Sequence, residues 1–163
     1  MTDLQQFNWR QLDEAHSRFI VAKNDYLRLR EDMKKHLDIS SILKSGAPGL
    51  PREIALEKLK ISRDSEKKKV FPDLVVLASS NHGFTEACRE LICDLPRAWV
   101  LKHIGEVVEP ILANGGYEEY SAIIGMYSLL QPDLAKNLAL RASRSSVVEI
   151  KEVGEDFLNK TDF

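Results

Sequence analysis

Residues 8–37 contain neither Pro nor Gly, and no other stretch constrains the fold as strongly. Within "WRQLDEAHSRFIVAKNDYLRLREDMKKHL", Leu12, Ala15, Phe19, Ala22, Tyr26, Leu29 and Met33 recur at alternating spacings of three and four, running out near His36 and Leu37. This is a heptad a/d seam held for about three repeats, the lower limit for a coiled coil. The flanks carry Arg18, Lys23, Asp25, Arg30 and Asp32. A single helix on the order of 40 Å long is expected from a rise of about 1.5 Å per residue. A helix draws most of its stability from packing its apolar face, so the seam requires a cover. The expectation is that other helices of the same chain supply it and largely bury Phe19, Tyr26 and Met33. The alternative is a homodimer through this helix.

"SGAPGLP", Ser45 to Pro51, is the clearest break, with two glycines and two prolines in seven residues. A second helix is expected from Pro51 or Arg52 through "REIALEKLKI", because proline suits a first helical turn. "SRDSEKKK", residues 62–69, has no apolar residue and reads as a helical extension or a linker. It sets the expected boundary between a 1–70 segment and a 71–163 helical domain.

Beyond Phe71 the rhythm changes to shorter helices separated by short breaks at Asn81-His82-Gly83, Pro96, Asn114-Gly115-Gly116 and Pro132. Each carries an apolar stripe: Val100, Ile104, Val107 and Ile111; Tyr120, Ile123, Ile124 and Tyr127; Leu134, Leu138 and Ala142; Val147, Ile150, Gly154 and Phe157. The β-branched "DLVVL" reads as buried helix from its flanks. About six such helices with short turns describe an all-α, antiparallel α-hairpin stack following a long N-terminal helix. Pro96 and Pro132 each open a helix 36 residues apart, a helical-hairpin repeat length.

"WVLKHIGEVVEPIL", "YEEYSAIIGMYSLLQPDLAKNLALRASRS" and "VVEIKEVGEDFL", roughly residues 96–160, resemble the HEAT-like repeats at the C-terminal end of some bacterial STAND-class (NACHT-type) signalling ATPases. The resemblance implies a protein-interaction role in bacterial signalling. The chain lacks the GxxxxGK[ST] phosphate loop of those proteins, so ATPase activity does not carry over.

The charge balance excludes little by itself. Residues 1–70 carry 15 Lys/Arg and 11 Asp/Glu, net +4, and residues 71–163 carry 8 and 14, net −6. Such a split suits either separate partners or two segments that attract each other. Cys88 and Cys93, five apart, fit neither a CxxC redox pair nor a zinc knuckle, and read as small core residues in a reducing compartment. The longest purely apolar run, "LVVLA", is far below the roughly 20 residues that span a bilayer. No basic n-region and apolar h-region open the chain. These features predict a cytoplasmic protein without membrane contact.

Chemistry-bearing residues concentrate in "SSNHGFTEAC", Ser79 to Cys88. A nucleophile needs a base in hydrogen-bond reach and a group orienting that base. Here Asn81, His82 and Gly83 read as a helix end, with His82 capping carbonyls, and Thr85, Glu86 and Glu90 as the next start, so no catalytic residue is assigned. His16 has Asp13 three residues before it as a lone instance of the carboxylate-x-x-His spacing, His36 and His103 read without ligand partners, and His103 reads as packed beside Trp99. No metal or cofactor is expected. The candidate partner-binding residues are a basic set, Lys58, Lys60, Arg63, Lys67, Lys68 and Lys69, and an acidic set, Glu149, Glu152 and Asp156. The leading reading is a non-catalytic protein-interaction scaffold. A small nucleic-acid-binding subunit using residues 58–69 is the alternative, against which stands the absence of interleaved aromatics.

Overall fold

The computed structural model describes residues 3–45, 49–80 and 83–160. Among them there are helices and connections only: α1 Asp3–His36, α2 Ile39–Lys44, α3 Leu50–Lys60, α4 Asp64–Lys69, α5 Phe71–Ala78, α6 Thr85–Cys93, α7 Arg97–Asn114, α8 Tyr117–Leu130, α9 Pro132–Ala142 and α10 Val148–Lys160. The all-α class and the six helices beyond Phe71 agree with the sequence reading. Prolines open α3, α5 and α9 in their first turn, where a missing N–H costs no helical bond. Pro96 stands one position earlier than expected, as the N-cap of α7. None of the described helices is long and apolar enough to cross a membrane.

The chain divides into two units, Met1–Asp38 and Ile39–Phe163. This corrects the boundary expected at residue 70. Leu43, Leu56, Leu59 and Val70 belong to the same buried cluster as Phe71, Leu74, Ile104, Ile123, Leu138 and Ile150. The polar run of residues 62–69 concealed this, because α4 contributes little apolar surface and is held by charge instead. Lys67 is 3% exposed and its Nζ donates to the Asp94 carboxylate. The short α2, which carries the buried Leu43, has no counterpart in the expectations.

In the first unit, α1 is the uninterrupted helix the heptads require, and its 34 residues give a length of about 51 Å. The expected burial of its seam is wrong. Phe19 is 60% exposed, Met33 46% and Tyr26 42%, and Leu12 and Leu29 are exposed as well. The heptads dictate the helix, and its seam is exposed at these positions.

In the second unit, sequential helices pair, α5 with α6, α7 with α8, α8 with α9 and α9 with α10. Helices two apart also touch: α5 with α7, α6 with α8, and α8 with α10. That pattern is a two-layer hairpin stack, with α6, α8 and α10 sharing one layer. The tightest approach in it lies at Gly154, which is buried on α10. A Cβ there would fall 2.4 Å from the Ser143 backbone N and 2.5 Å from the Ala139 carbonyl oxygen. The small residues Ala135, Ala139 and Ala142 of α9 are all buried on this side. The expected α10 stripe is corrected at one end only: Val147 is exposed and precedes the helix. At the α7–α8 turn Glu119 Oε2 accepts from the Gly116 N–H at 2.8 Å, satisfying a donor that the helix leaves open. A Cβ on Gly115 would meet the Glu119 Cβ and the Ile111 carbonyl oxygen at 2.8 Å each, so glycine there permits the close turn.

Candidate functional site

The stretch 79–88 closes the α5–α6 turn. Ser79 Oγ donates to the Val76 carbonyl at 2.8 Å, Ser80 Oγ to the same carbonyl at 3.2 Å, and Thr85 Oγ1 to the Ser80 carbonyl at 2.7 Å. These hydroxyls are spent on backbone oxygens that the ending helix exposes. His82 and Asn81, and with them the expected capping by His82, lie outside the described residues.

Cys88 is completely buried on α6, and burial pushes its thiol up to about 12. Cys93 is exposed, which corrects its assignment to the core, and partial burial raises its pKa less far. The thiolate is the nucleophile, so the two should react very differently. A thiol reagent applied to the folded chain near neutral pH is expected to modify Cys93 and leave Cys88 intact until denaturant is added; equal rates at both sites would contradict the burial. The same shift sets a pH dependence. A thiol raised in the folded state favours folding fully below its unfolded value near 9, and that contribution is lost as pH rises through the interval up to about 12. Stability should therefore begin to fall above about pH 9, and Cys88→Ala should delay the fall.

Members of the basic set make separate contacts. Lys60 Nζ reaches Glu90 Oε2 at 3.0 Å, Lys69 pairs with Glu66 at 2.8 Å, and Lys68 Nζ lies 5.0 Å from the centre of the Trp99 ring. Lys67 is buried and drops out as a contact residue. Lys58 is half-buried and Arg63 exposed. The charge split between the chain's halves thus acts partly inside the fold, through Lys60–Glu90 and Lys67–Asp94. The exposed Lys60–Glu90 pair contributes at most about 1 kcal/mol.

His103 is partly buried as expected. Its ring stacks on Trp99 with centroids 4.3 Å apart, and its Nδ1 lies 2.7 Å from the Trp99 carbonyl oxygen, a geometry in which Nδ1–H donates. Phe71 meets the Trp99 ring edge-on at 5.1 Å. This is a packing cluster. Among the described residues no group of three or more His, Cys, Asp or Glu has metal-site geometry.

The acidic set is on the surface: Glu149, Glu152 and Asp156 are exposed on α10, opposite Ile150, Val153 and Gly154. Asp156 lines a depression. It borders a shallow cavity of about 200 Å³ with Tyr117, Ser121, Ile124, Gly125, Phe157 and Lys160. The cavity shares Tyr117, Ser121 and Gly125 with a larger cleft of about 630 Å³. That cleft adds Thr85, Glu86 and Arg89 of α6. Together the two depressions make up the α8 groove, one walled by α6 and the other by α10, with Tyr117, Ser121 and Gly125 common to both.

Arg89 builds the α6 wall. Its Nη2 donates to the Ala122 carbonyl at 2.8 Å and its Nη1 to Glu86 at 2.6 Å. The guanidinium lies beside Gly125, where an added Cβ would be in ordinary van der Waals contact, 3.4 Å from Nη2. Sequence reasoning missed Arg89, Glu86, Tyr117 and Ser121. Each is an ordinary polar or aromatic residue in its own stretch of sequence, and the packing of α6 against α8 is what brings them together. No protein-family model matches this chain, and no curated protein or solved structure matches it either.

Proposed function

We propose that the chain is a non-catalytic protein-interaction module, a helical-hairpin scaffold of HEAT-like design, in which the groove along α8 receives a protein segment. The groove carries this reading. Its two depressions lie on either side of the α8 line that Tyr117, Ser121 and Gly125 form, Tyr117, Ser121 and Asp156 are exposed there, and Arg89 is held in the α6 wall by its bond to the Ala122 carbonyl. Tyr is a residue type that gives large contact area at low entropic cost. Reactive-looking groups have ordinary structural work: Ser79 and Thr85 satisfy carbonyls, Cys88 fills the core, and His103 stacks on Trp99. The dispersal of Lys60, Lys67, Lys68 and Lys69 into separate contacts favours this reading over a nucleic-acid-binding one.

A photo-reactive residue in place of Ser121, introduced into the full chain in its own cells, is the test. One discrete protein adduct is expected, lost when Gly125→Trp fills the groove, while the same probe at Lys102 gives none. Adducts of equal yield at both positions, or RNA recovered in place of protein, would contradict the proposal.

A further inference from the structure

The exposed seam of α1 has a pattern that selects its own partner. In heptad terms Leu12, Phe19, Tyr26 and Met33 occupy a positions, Ala15, Ala22 and Leu29 occupy d, Arg18 and Asp25 occupy g, and Lys23 occupies e. Large residues therefore alternate with alanines from Leu12 to Tyr26, and the charge on the g flank changes sign from Arg18 to Asp25.

A parallel pair sets each layer against itself. Phe19 would face Phe19 and Tyr26 would face Tyr26, while Ala15 and Ala22 would face their own copies, leaving wide and narrow layers in alternation. Its flanks are mixed, since a g residue meets the e residue five positions on: Arg18 would oppose Lys23, while Asp25 would meet Arg30. An antiparallel pair sets a against d. With Phe19 over Ala22 of the second copy, Tyr26 falls over Ala15 and Leu12 over Leu29, and every layer has similar width. In this register Arg18 meets Asp25 of the second copy, twice by symmetry. Sliding one heptad either way brings Asp25 against Asp25 or Arg18 against Arg18. Size and charge thus choose one arrangement.

We propose that α1 pairs with α1 of a second copy as an antiparallel two-stranded coiled coil centred between Ile20 and Val21, with the size of the layers fixing direction and the Arg18–Asp25 pair fixing register. This deepens the interaction-module reading by naming one partner, and does not depend on the α8 groove.

The mass of the full chain in solution, measured across a dilution series by sedimentation, tests the pairing, and charge exchange tests its direction. The native chain is expected to be a dimer. Arg18→Glu alone should weaken it by about tenfold, as two exposed attractions become repulsions. Arg18→Glu combined with Asp25→Arg should restore it, which also shows that the substitutions leave the helix intact. In a parallel pair the single change would set opposite charges against Lys23 and tighten the dimer. A monomeric native chain, a tightened or unchanged Arg18→Glu dimer, or a double variant no tighter than the single one, would overturn the proposal. Capture at Ser121 is read separately, so a monomer that still captures a protein there refutes the dimer and leaves the scaffold reading standing.

Discussion

Gly154→Ala is expected to lower the thermal midpoint, although alanine is the better helix former. Glycine inside a helix forgoes roughly 0.5–1 kcal/mol relative to alanine. At position 154 that gain is outweighed, because the added Cβ would lie at 2.4–2.5 Å from backbone atoms of Ser143 and Ala139, and backbone cannot step aside as a side chain can. The α9–α10 pair must part along the face lined by Ala139 and Ala142. Overpacking of this kind costs about 1–3 kcal/mol, and Gly154→Leu should sit at or beyond the upper end. Gly105→Ala supplies the opposite sign on the same scaffold: it lies within α7, is exposed, and its added Cβ meets nothing within 4 Å. Its midpoint should rise. A raised midpoint for Gly154→Ala would mean that α10 does not close the stack.

Leu59→Ala should destabilise the entire second unit, by about 2–5 kcal/mol as for other buried leucines. Leu59 is fully buried on α3, and it shares one apolar cluster with residues as distant in sequence as Ile150 and Val153. The whole of Ile39–Phe163 should therefore unfold in one transition shifted to lower denaturant, followed equally by a probe at Trp99 and by helical signal. Loss of α3 alone, with Trp99 and the later helices melting at their original midpoint, would restore the boundary at residue 70.

What was legible in the sequence follows the physics of each signal. Periodicity and first-turn prolines define helices locally, so α1, α3 and α5–α10 could be read within a few residues. Gly154 beside Ala139 and Ala142 announced a close helix contact, and the contact exists. Burial depends on what lies opposite, which periodicity does not state. The same apolar stripe is covered at Tyr120, Ile123 and Ile124 and uncovered at Phe19 and Tyr26. The domain boundary failed for a related reason. A run without apolar residues looks like a linker, yet Lys67 can be buried once Asp94 supplies its counter-charge. The groove was least legible, because it is assembled from α6, α8 and α10, and its organising contact joins Arg89 to a backbone carbonyl 33 positions away.

Hydrogen exchange on the full chain, alone and with the protein captured at Ser121, tests the central claim most directly. The account predicts slowed exchange along the groove, in residues 83–90, 117–125 and 153–160, with residues 58–69 unchanged. Slowing confined to residues 58–69, or obtained with added RNA in place of the captured protein, would contradict it.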